Sequence, residues 1–251
     1  MGILYRGETG MGNEVYETDF YENRHNSTWH SAKTILGMLS RFFPTPSSVL
    51  DFGCGVGTWL SYFHNRDIPV TGIEGPWVPI EYLRIPSSSV HFFNIQEELT
   101  KNSERFNGIT KHNLAISLEV AEHIEESLAD RFVEFLTTHA DYILFSAAIP
   151  GQTGDGHVNE QWPSYWAEKF SQYDFTLFDV IRHDIWDDAD IPFWYRQNCF
   201  LGARKGLLDL PFALCPGDKK FDIVHPKQFE FIQGLYSAQP FWRRVKNKVF
   251  G

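Results

Sequence analysis

The chain of 251 residues contains few cysteines and fewer basic than acidic residues. Its three cysteines, Cys54, Cys199 and Cys215, are too few and too scattered for a disulfide framework or a cysteine-based zinc site, so we expect reduced thiols. Lysine and arginine number 22 against 32 acidic residues, which gives a formal net charge of −10. Such an acidic chain lacks the basic surface that nucleic acids require, and no nucleic-acid partner is expected.

Long apolar stretches are missing as well. No 18-residue apolar run occurs, and the first twenty residues contain no segment typical of a signal peptide. These absences predict a cytoplasmic protein without an integral membrane segment. Hydrophobic residues still make up 43% of the chain, which is enough for a sizeable core and excludes global disorder.

Short apolar runs alternate with helical patterns along the chain. Strands are predicted over 48–53, 70–74, 90–94, 114–118 and 142–148, with two further strands over 175–180 and 198–203. Helices are predicted over 28–43, 58–65, 124–139 and 163–170, after an irregular lead-in over 2–26. This alternation favours a parallel sheet built from right-handed βαβ units.

A glycine-rich turn joins the first predicted strand to a helix. Its sequence is Asp51-Phe52-Gly53-Cys54-Gly55-Val56-Gly57, and glycines allow a tight turn and a close approach of the backbone to a ligand. The Gly-Lys-Ser/Thr of a phosphate loop is missing, and the spacing differs from the Gly-x-Gly-x-x-Gly of dinucleotide folds. Glu74 ends the second strand, where a carboxylate can accept both hydrogen bonds of a ribose diol.

In three motifs that occur in order, the chain resembles the class I S-adenosylmethionine-dependent methyltransferases. The motifs are the run from Asp51 to Leu60, the acidic Glu74, and Leu118-Glu119-Val120-Ala121-Glu122-His123-Ile124 after the fourth strand. The match covers residues 49–150. The resemblance implies an α/β fold with a Rossmann-like, seven-stranded, mostly parallel sheet, helices on both faces and an antiparallel last strand.

The resemblance also implies S-adenosylmethionine as cofactor, lying over the carboxyl ends of the first strands. The expected cofactor-binding residues are Asp51, Gly53, Cys54, Gly55, Gly57, Glu74, Asn94 and Glu119. Among them Glu74 would hold the ribose. Asn94 departs from the aspartate that many members have at the adenine position, although its amide can still hydrogen-bond the base.

The domain organisation that follows has three parts. A lead-in and helix occupy residues 1–47, the methyltransferase core with acceptor-site insertions after 150 occupies 48–210, and a C-terminal extension occupies 211–251. The extension ends in a basic and aromatic tail over 241–250, for which a surface helix is favoured over contact with an anionic membrane.

Two histidines are candidates for the catalytic base. His157 lies in a glycine-containing loop after the fifth strand, where ligands of open α/β sheets bind, and imidazole titrates near neutrality. A purely structural role in the loop is the alternative for His157. His123 follows the fourth strand beside the expected cofactor and is the second candidate. The acidic segment 182–190 is interpreted as a solvated loop, and no metal site is predicted.

Aromatic residues concentrate in the second half of the chain. Trp162, Tyr165, Trp194 and Tyr195, together with Asn159, are predicted to bind an acceptor, since flat aromatic faces flanked by polar groups suit sugar rings. The alternative is an aromatic core. The segments 156–159, 194–198 and 224–226 look like those of bacterial methyltransferases found with surface-polysaccharide biosynthesis.

The predicted function is O-methylation of a sugar, a nucleotide-linked sugar or a capsule or glycan precursor, including phosphorylated modifiers. Methylation of a small carboxylate or amine metabolite and a catalytically silent scaffold are the alternatives. The expected partner is therefore a small-molecule or glycan-precursor acceptor, and the sequence carries no signal for an oligomeric state.

Overall fold

A computed structural model describes residues 14–101 and 104–238, with side chains from residue 25 to residue 235. One sheet of eight strands forms its centre, in the order β3-β2-β1-β4-β5-β7-β6-β8. The strands are β1 (Val49–Phe52), β2 (Val70–Glu74), β3 (Val90–Phe92), β4 (His112–Leu118), β5 (Ala140–Ser146), β6 (Phe175–Phe178), β7 (Phe200–Arg204) and β8 (Ala213–Leu214).

Strands β1 to β5 pair in parallel, whereas β7 is antiparallel to both β5 and β6. The longer helices are α1 (Glu14–Leu39), α2 (Thr58–His64), α3 (Ile95–Lys101), α4 (Ala129–His139), α5 (Pro163–Ser171), α6 (Arg182–Ile185), α7 (Phe193–Asn198) and α8 (Pro226–Ala238). The predicted α/β class, the mostly parallel sheet and the antiparallel β7 are confirmed.

Both faces of the sheet are covered by helices. On one face, α4 and α5 pack Phe132, Leu136 and Trp166 against the strands. On the other face, α1 and α2 contribute Ile35, Leu36 and Leu60. All four residues of β1 are buried, as a parallel strand between two helical layers requires. This arrangement brings the carboxyl ends of β1, β2 and β4 to one edge of the sheet.

Three predicted features are wrong. The sheet has eight strands rather than seven, because the two-residue β8 pairs antiparallel with β6 and is too short to leave a sequence pattern. Helix α1 begins at Glu14, so much of the expected irregular lead-in is helical. Helix α4 begins at Ala129, since residues 121–123 and 126–128 form two short 3₁₀ turns instead.

None of the described helices is both long and apolar enough to span a bilayer. The predicted basic tail over 241–250 lies outside the described residues.

The buried imidazole of His112, the first residue of β4, should make the stability of the fold depend on pH. Its Nε2 lies 3.0 Å from the Thr71 hydroxyl, and burial lowers the pKa of the imidazole below its ordinary value. The unfolded chain therefore binds a proton more readily, and stability is lost as the pH falls from about 6.5 through the folded-state pKa. We expect the melting temperature of wild type to fall more steeply below about pH 6.5 than that of His112→Gln, measured by thermal unfolding. Parallel curves for the two proteins would contradict this prediction.

Candidate functional site

The glycine-rich turn leaves β1 at the carboxyl edge of the sheet. Gly53 has a φ of +86°, and a Cβ built on it would lie 2.5 Å from Cγ2 of Val120. Only glycine satisfies both the left-handed conformation and this close approach. The turn therefore lies directly against the segment that follows β4.

Glu74 holds the turn from the end of β2. Its Oε2 accepts a 2.7 Å hydrogen bond from the Gly55 amide, and its Oε1 accepts one of 2.7 Å from the Gly75 amide. The side chain is buried. A carboxylate has about four acceptor sites, so each oxygen has capacity for a further donor from a ligand.

Asp51, on β1, is a second buried carboxylate beside Glu74. Its Oδ2 has no hydrogen-bond partner among the described residues. Burial, and next the charge of Glu74, raise the pKa of Asp51 well above its usual range. Two adjacent buried carboxylates, one of them with an oxygen that has no donor among the described residues, favour a cationic, hydrogen-bonding ligand at this edge.

The loop after β5 is organised by a carboxylate that the sequence analysis did not single out. Glu160 accepts hydrogen bonds from the Gly151 amide at 2.8 Å and the Thr153 amide at 2.7 Å. Its Oε1 also lies 2.7 Å from Nδ1 of His157. Gly154 passes so close to this imidazole that a Cβ on it would collide with Nε2 of His157. The loop thus fixes the orientation of His157.

The same loop is bound to the segment after β4. The amides of Val158 and Asn159 donate to the carbonyl of Glu122 at 2.9 and 3.0 Å. Nδ1 of His123 lies 3.1 Å from the carbonyl oxygen of Gly156. The rings of His123 and His157 meet edge to face with centroids 5.0 Å apart. The two candidate bases therefore belong to one cluster.

Glu122 completes this cluster. Its side chain is 0% exposed, and neither carboxylate oxygen has a hydrogen-bond partner among the described residues. Oε1 lies 3.9 Å from Nε2 of His157, whose side chain is 7% exposed. Burial, followed by the charge of Glu119, raises the pKa of Glu122 well above its usual range. A buried carboxylate without hydrogen-bond donors is costly, so it indicates a functional demand at this point.

Glu119 lies at the end of β4 in a left-handed conformation, with a φ of +55°. Its Oε1 accepts a 3.1 Å hydrogen bond from Asn198, and its Oε2 accepts one of 2.8 Å from Gln152. Gln197 donates to Gln152 at 3.1 Å and to Gln228 of α8 at 2.7 Å. A buried chain of amides therefore fixes the carboxylate of Glu119 and connects it to α8.

A cavity of about 390 Å³ opens beside Glu119 and His157. Asp155 and Gln152 continue its polar wall. Its apolar lining consists of Phe193, Trp194, Phe231 and Leu235. One pocket thus combines carboxylates and an imidazole with aromatic faces.

A family model described as a methyltransferase domain matches residues 28–176, which is more than half of the chain. The chain belongs to this methyltransferase family. S-adenosylmethionine is the cofactor of such enzymes, so the predicted cofactor is confirmed. No curated protein sequence matches the chain.

Solved structures share the fold of this methyltransferase. The sugar N-methyltransferase KedS8 from Streptoalloteichus sp. is 14% identical with a TM-score of 0.55, over 81% of this chain and 99% of that one. CalS10, an amino pentose methyltransferase from Micromonospora echinaspora with S-adenosylmethionine bound, is 14% identical with a TM-score of 0.53, over 79% and 100%. An O-methyltransferase family protein from Burkholderia thailandensis is 12% identical with a TM-score of 0.49, and the methyltransferase covers 61% of its length.

The carboxyl edge of the sheet fits S-adenosylmethionine chemically. The cofactor carries a sulfonium and an ammonium charge, which Asp51 and Glu74 can offset, and a ribose diol, which Glu74 can accept. When bound, the cofactor supplies the activated methyl group. The Cys54 thiol in the turn is buried, and burial raises its pKa well above the usual range, so it stays protonated.

The structure brings some predicted acceptor residues together and separates others. Trp194 lines the cavity with His157. The neighbouring Tyr195 instead packs on Trp59 within the core, at 5.3 Å between ring centroids. Tyr165 packs on Trp166 on the opposite face of the sheet.

The three remaining predicted residues have local structural roles. Trp162 precedes the first turn of α5. Asn94 precedes α3, where its Oδ1 accepts from the Glu97 amide at 3.3 Å as a helix cap. Asn159 is buried, and its Oδ1 accepts from Gln161 at 3.0 Å.

Sequence reasoning missed Glu160 and the amide chain of Gln152, Gln197, Asn198 and Gln228. Nothing in the sequence marks the amide chain, because its contacts join residue 152, residues 197–198 and residue 228 across the fold. Glu160 alone had a local signal, since its position three residues after His157 allows the carboxylate to reach the imidazole.

Proposed function

We propose that this methyltransferase transfers the methyl group of S-adenosylmethionine to a hydroxyl of a sugar, a nucleotide-linked sugar or a glycan precursor. The cavity carries this proposal. Its polar lining, with Glu119 and Asp155, suits hydroxyl groups, and Trp194 in the same lining suits stacking on a sugar ring. Phosphorylated sugar modifiers fall within the same class.

The proposed cofactor site comprises Asp51, Gly53, Cys54, Gly55, Gly57, Glu74 and Asn94, with Glu119 between the cofactor and the cavity. Methyl transfer is an in-line displacement, so the chain must align the acceptor oxygen and remove its proton. Two observations support His157 in this role: Nδ1 is held by Glu160, and the residue borders the cavity. His123, packed on the same ring, is its neighbour in the catalytic cluster.

The names of two structural neighbours support testing sugars first, since KedS8 is a sugar N-methyltransferase and CalS10 an amino pentose methyltransferase. Their low identity shows the fold alone, so the hydroxyl acceptor rests on the cavity of this chain. A role in surface-polysaccharide biosynthesis and a cytoplasmic location belong to the same proposal.

Acceptor profiling with methyl-labelled S-adenosylmethionine tests the proposed function. The full chain is incubated with free sugars, sugar phosphates and nucleotide-linked sugars, and with matched panels of amino sugars, small amines and carboxylates. We expect label to enter at least one hydroxyl-bearing sugar as an alkali-stable methyl ether. Label confined to amines, or to alkali-labile carboxylate esters, would contradict O-methylation of sugars. Trp194→Ala should raise KM for the identified acceptor, whereas Phe212→Ala, which changes an exposed aromatic residue outside the cavity lining, serves as the control.

A further inference from the structure

We propose that Glu122, His123 and His157 bind a divalent transition-metal ion in a buried cluster, which His157 connects to the acceptor cavity. The role of the ion in the reaction rests on the proposed function, whereas the binding of the ion does not. No metal site is predicted from the sequence, in which only the acidic segment 182–190 is a candidate and is interpreted as a solvated loop.

The donor atoms are already gathered as a metal site requires. One ligating atom from each residue lies within 4.8 Å of the others. Metal–ligand distances of about 2.0–2.2 Å place neighbouring donors roughly 3 Å apart and opposite donors roughly 4 Å apart. Glu122 Oε1 and His157 Nε2 are 3.9 Å apart, within that range, so only small movements would close the site around an ion.

The buried carboxylate of Glu122 provides the independent observation. Both of its oxygens are buried and have no hydrogen-bond partner among the described residues, and the side chain faces the two imidazoles. Burying a charged carboxylate without hydrogen-bond donors is strongly unfavourable. A bound cation would offset this cost directly.

The orientation of the two histidines agrees with this assignment. Metal-bound histidines usually hold their other ring nitrogen against a carboxylate or a backbone carbonyl. Nδ1 of His157 lies 2.7 Å from Glu160, and Nδ1 of His123 lies 3.1 Å from the carbonyl of Gly156. Both rings are thereby fixed to ligate through Nε2.

The donor set selects the class of ion. Two imidazoles and one carboxylate suit manganese, iron, nickel or zinc, whereas calcium and magnesium prefer oxygen ligands throughout. Three protein ligands leave a coordination position open, as in metal sites that bind substrate, and His157 borders the cavity from which an acceptor would reach it. An acceptor hydroxyl there would have a lowered pKa and lose its proton to solvent, while His157 holds the ion. As its oxygen bonds to the methyl carbon, the carbon–sulfur bond of the cofactor breaks and releases S-adenosylhomocysteine.

Titration of the chelator-treated full chain with Mn²⁺ and Zn²⁺ tests the site, with calorimetry and the electron paramagnetic resonance of free Mn²⁺ as readouts. We expect one ion per chain and weaker binding of Mg²⁺. Glu122→Gln and His157→Ala should each lower the affinity by at least 10-fold. Metal should raise the melting temperature of wild type but not of these variants. S-adenosylmethionine binding, measured on the same samples, reports whether each variant is folded.

The matched control is His30→Ala, which disrupts a second His and Asp cluster with Asp188 and Asp190 at the surface. It should bind metal as wild type does. The proposal fails if wild type binds neither ion at about 1 mM, if folded Glu122→Gln and His157→Ala bind normally, or if His30→Ala abolishes binding. Should Glu122→Gln not fold, His157→Ala decides. Metal binding is measured without an acceptor. A failure to bind metal can therefore be distinguished from a failure to methylate sugars.

Discussion

We expect His157→Ala to lower kcat by about 10²- to 10⁴-fold while the affinity for S-adenosylmethionine stays near that of wild type. An alcohol is a poor nucleophile and its oxonium product is strongly acidic, so proton loss must accompany attack. The variant removes the side chain through which the hydroxyl loses its proton, either to the imidazole itself or through the ion that the imidazole holds. Single-turnover kinetics with saturating cofactor measure the effect on the chemical step.

Two further variants sharpen the interpretation of that result. Glu160→Gln keeps the shape of the loop but weakens the contact to Nδ1 of His157, so we expect a smaller loss of kcat with little change in cofactor binding. His123→Ala changes the same cluster and should lower kcat as well. If His157→Ala keeps more than about a third of kcat, with chemistry shown to be rate-limiting, His157 has no part in proton removal. His123, or a mechanism in which alignment alone suffices, would then be favoured.

The second large effect is expected at Glu74. Replacing Glu74 by alanine should weaken S-adenosylmethionine binding by roughly 10- to 100-fold, the range expected for losing hydrogen bonds to a charged group. The ribose loses its acceptor, and the amides of Gly55 and Gly75 lose theirs, so the turn also loses its support. Titration calorimetry measures the affinity, and the cofactor-induced rise in melting temperature should shrink in parallel.

Glu74→Gln and Glu168→Ala provide the controls. Glutamine keeps the volume and one acceptor oxygen, so its binding should lie between wild type and Glu74→Ala. Glu168 is exposed on α5 and should bind the cofactor as wild type does. Unchanged binding by a folded Glu74→Ala protein would exclude Glu74 from the cofactor site.

Much of the fold was predictable because its central signals are local. The buried strands β1, β4 and β5 are short apolar runs bounded by turns, and such runs need no knowledge of distant contacts. The glycine turn is predictable for the same reason, since the left-handed φ of Gly53 is a property of one residue. The eighth strand was not, because two residues pair with β6 only after the sheet exists to receive them.

The positions of the aromatic side chains near the cavity could not be predicted from the local sequence. Trp194 and Tyr195 are adjacent and equally aromatic, yet one lines the cavity and the other packs on Trp59 in the core. Helix α7 turns one side chain outwards and the next inwards, and only its packing against the sheet decides which. The position of Tyr165 was equally unpredictable, because α5 packs it on the face of the sheet opposite to that of Tyr195.

The sequence by itself determined the parallel α/β class, the glycine turn, the acidic residue that supports it and, through the motifs, the methyltransferase family. Each of these depends on residues that are close along the chain or on strands whose order follows from βαβ connections. Only the tertiary structure brought His157 to Glu122 and His123, gave it Glu160 as a partner, and connected Glu119 to α8 through amides. These contacts join segments that no local periodicity relates, and they form only when the sheet places the ends of β4 and β5 side by side.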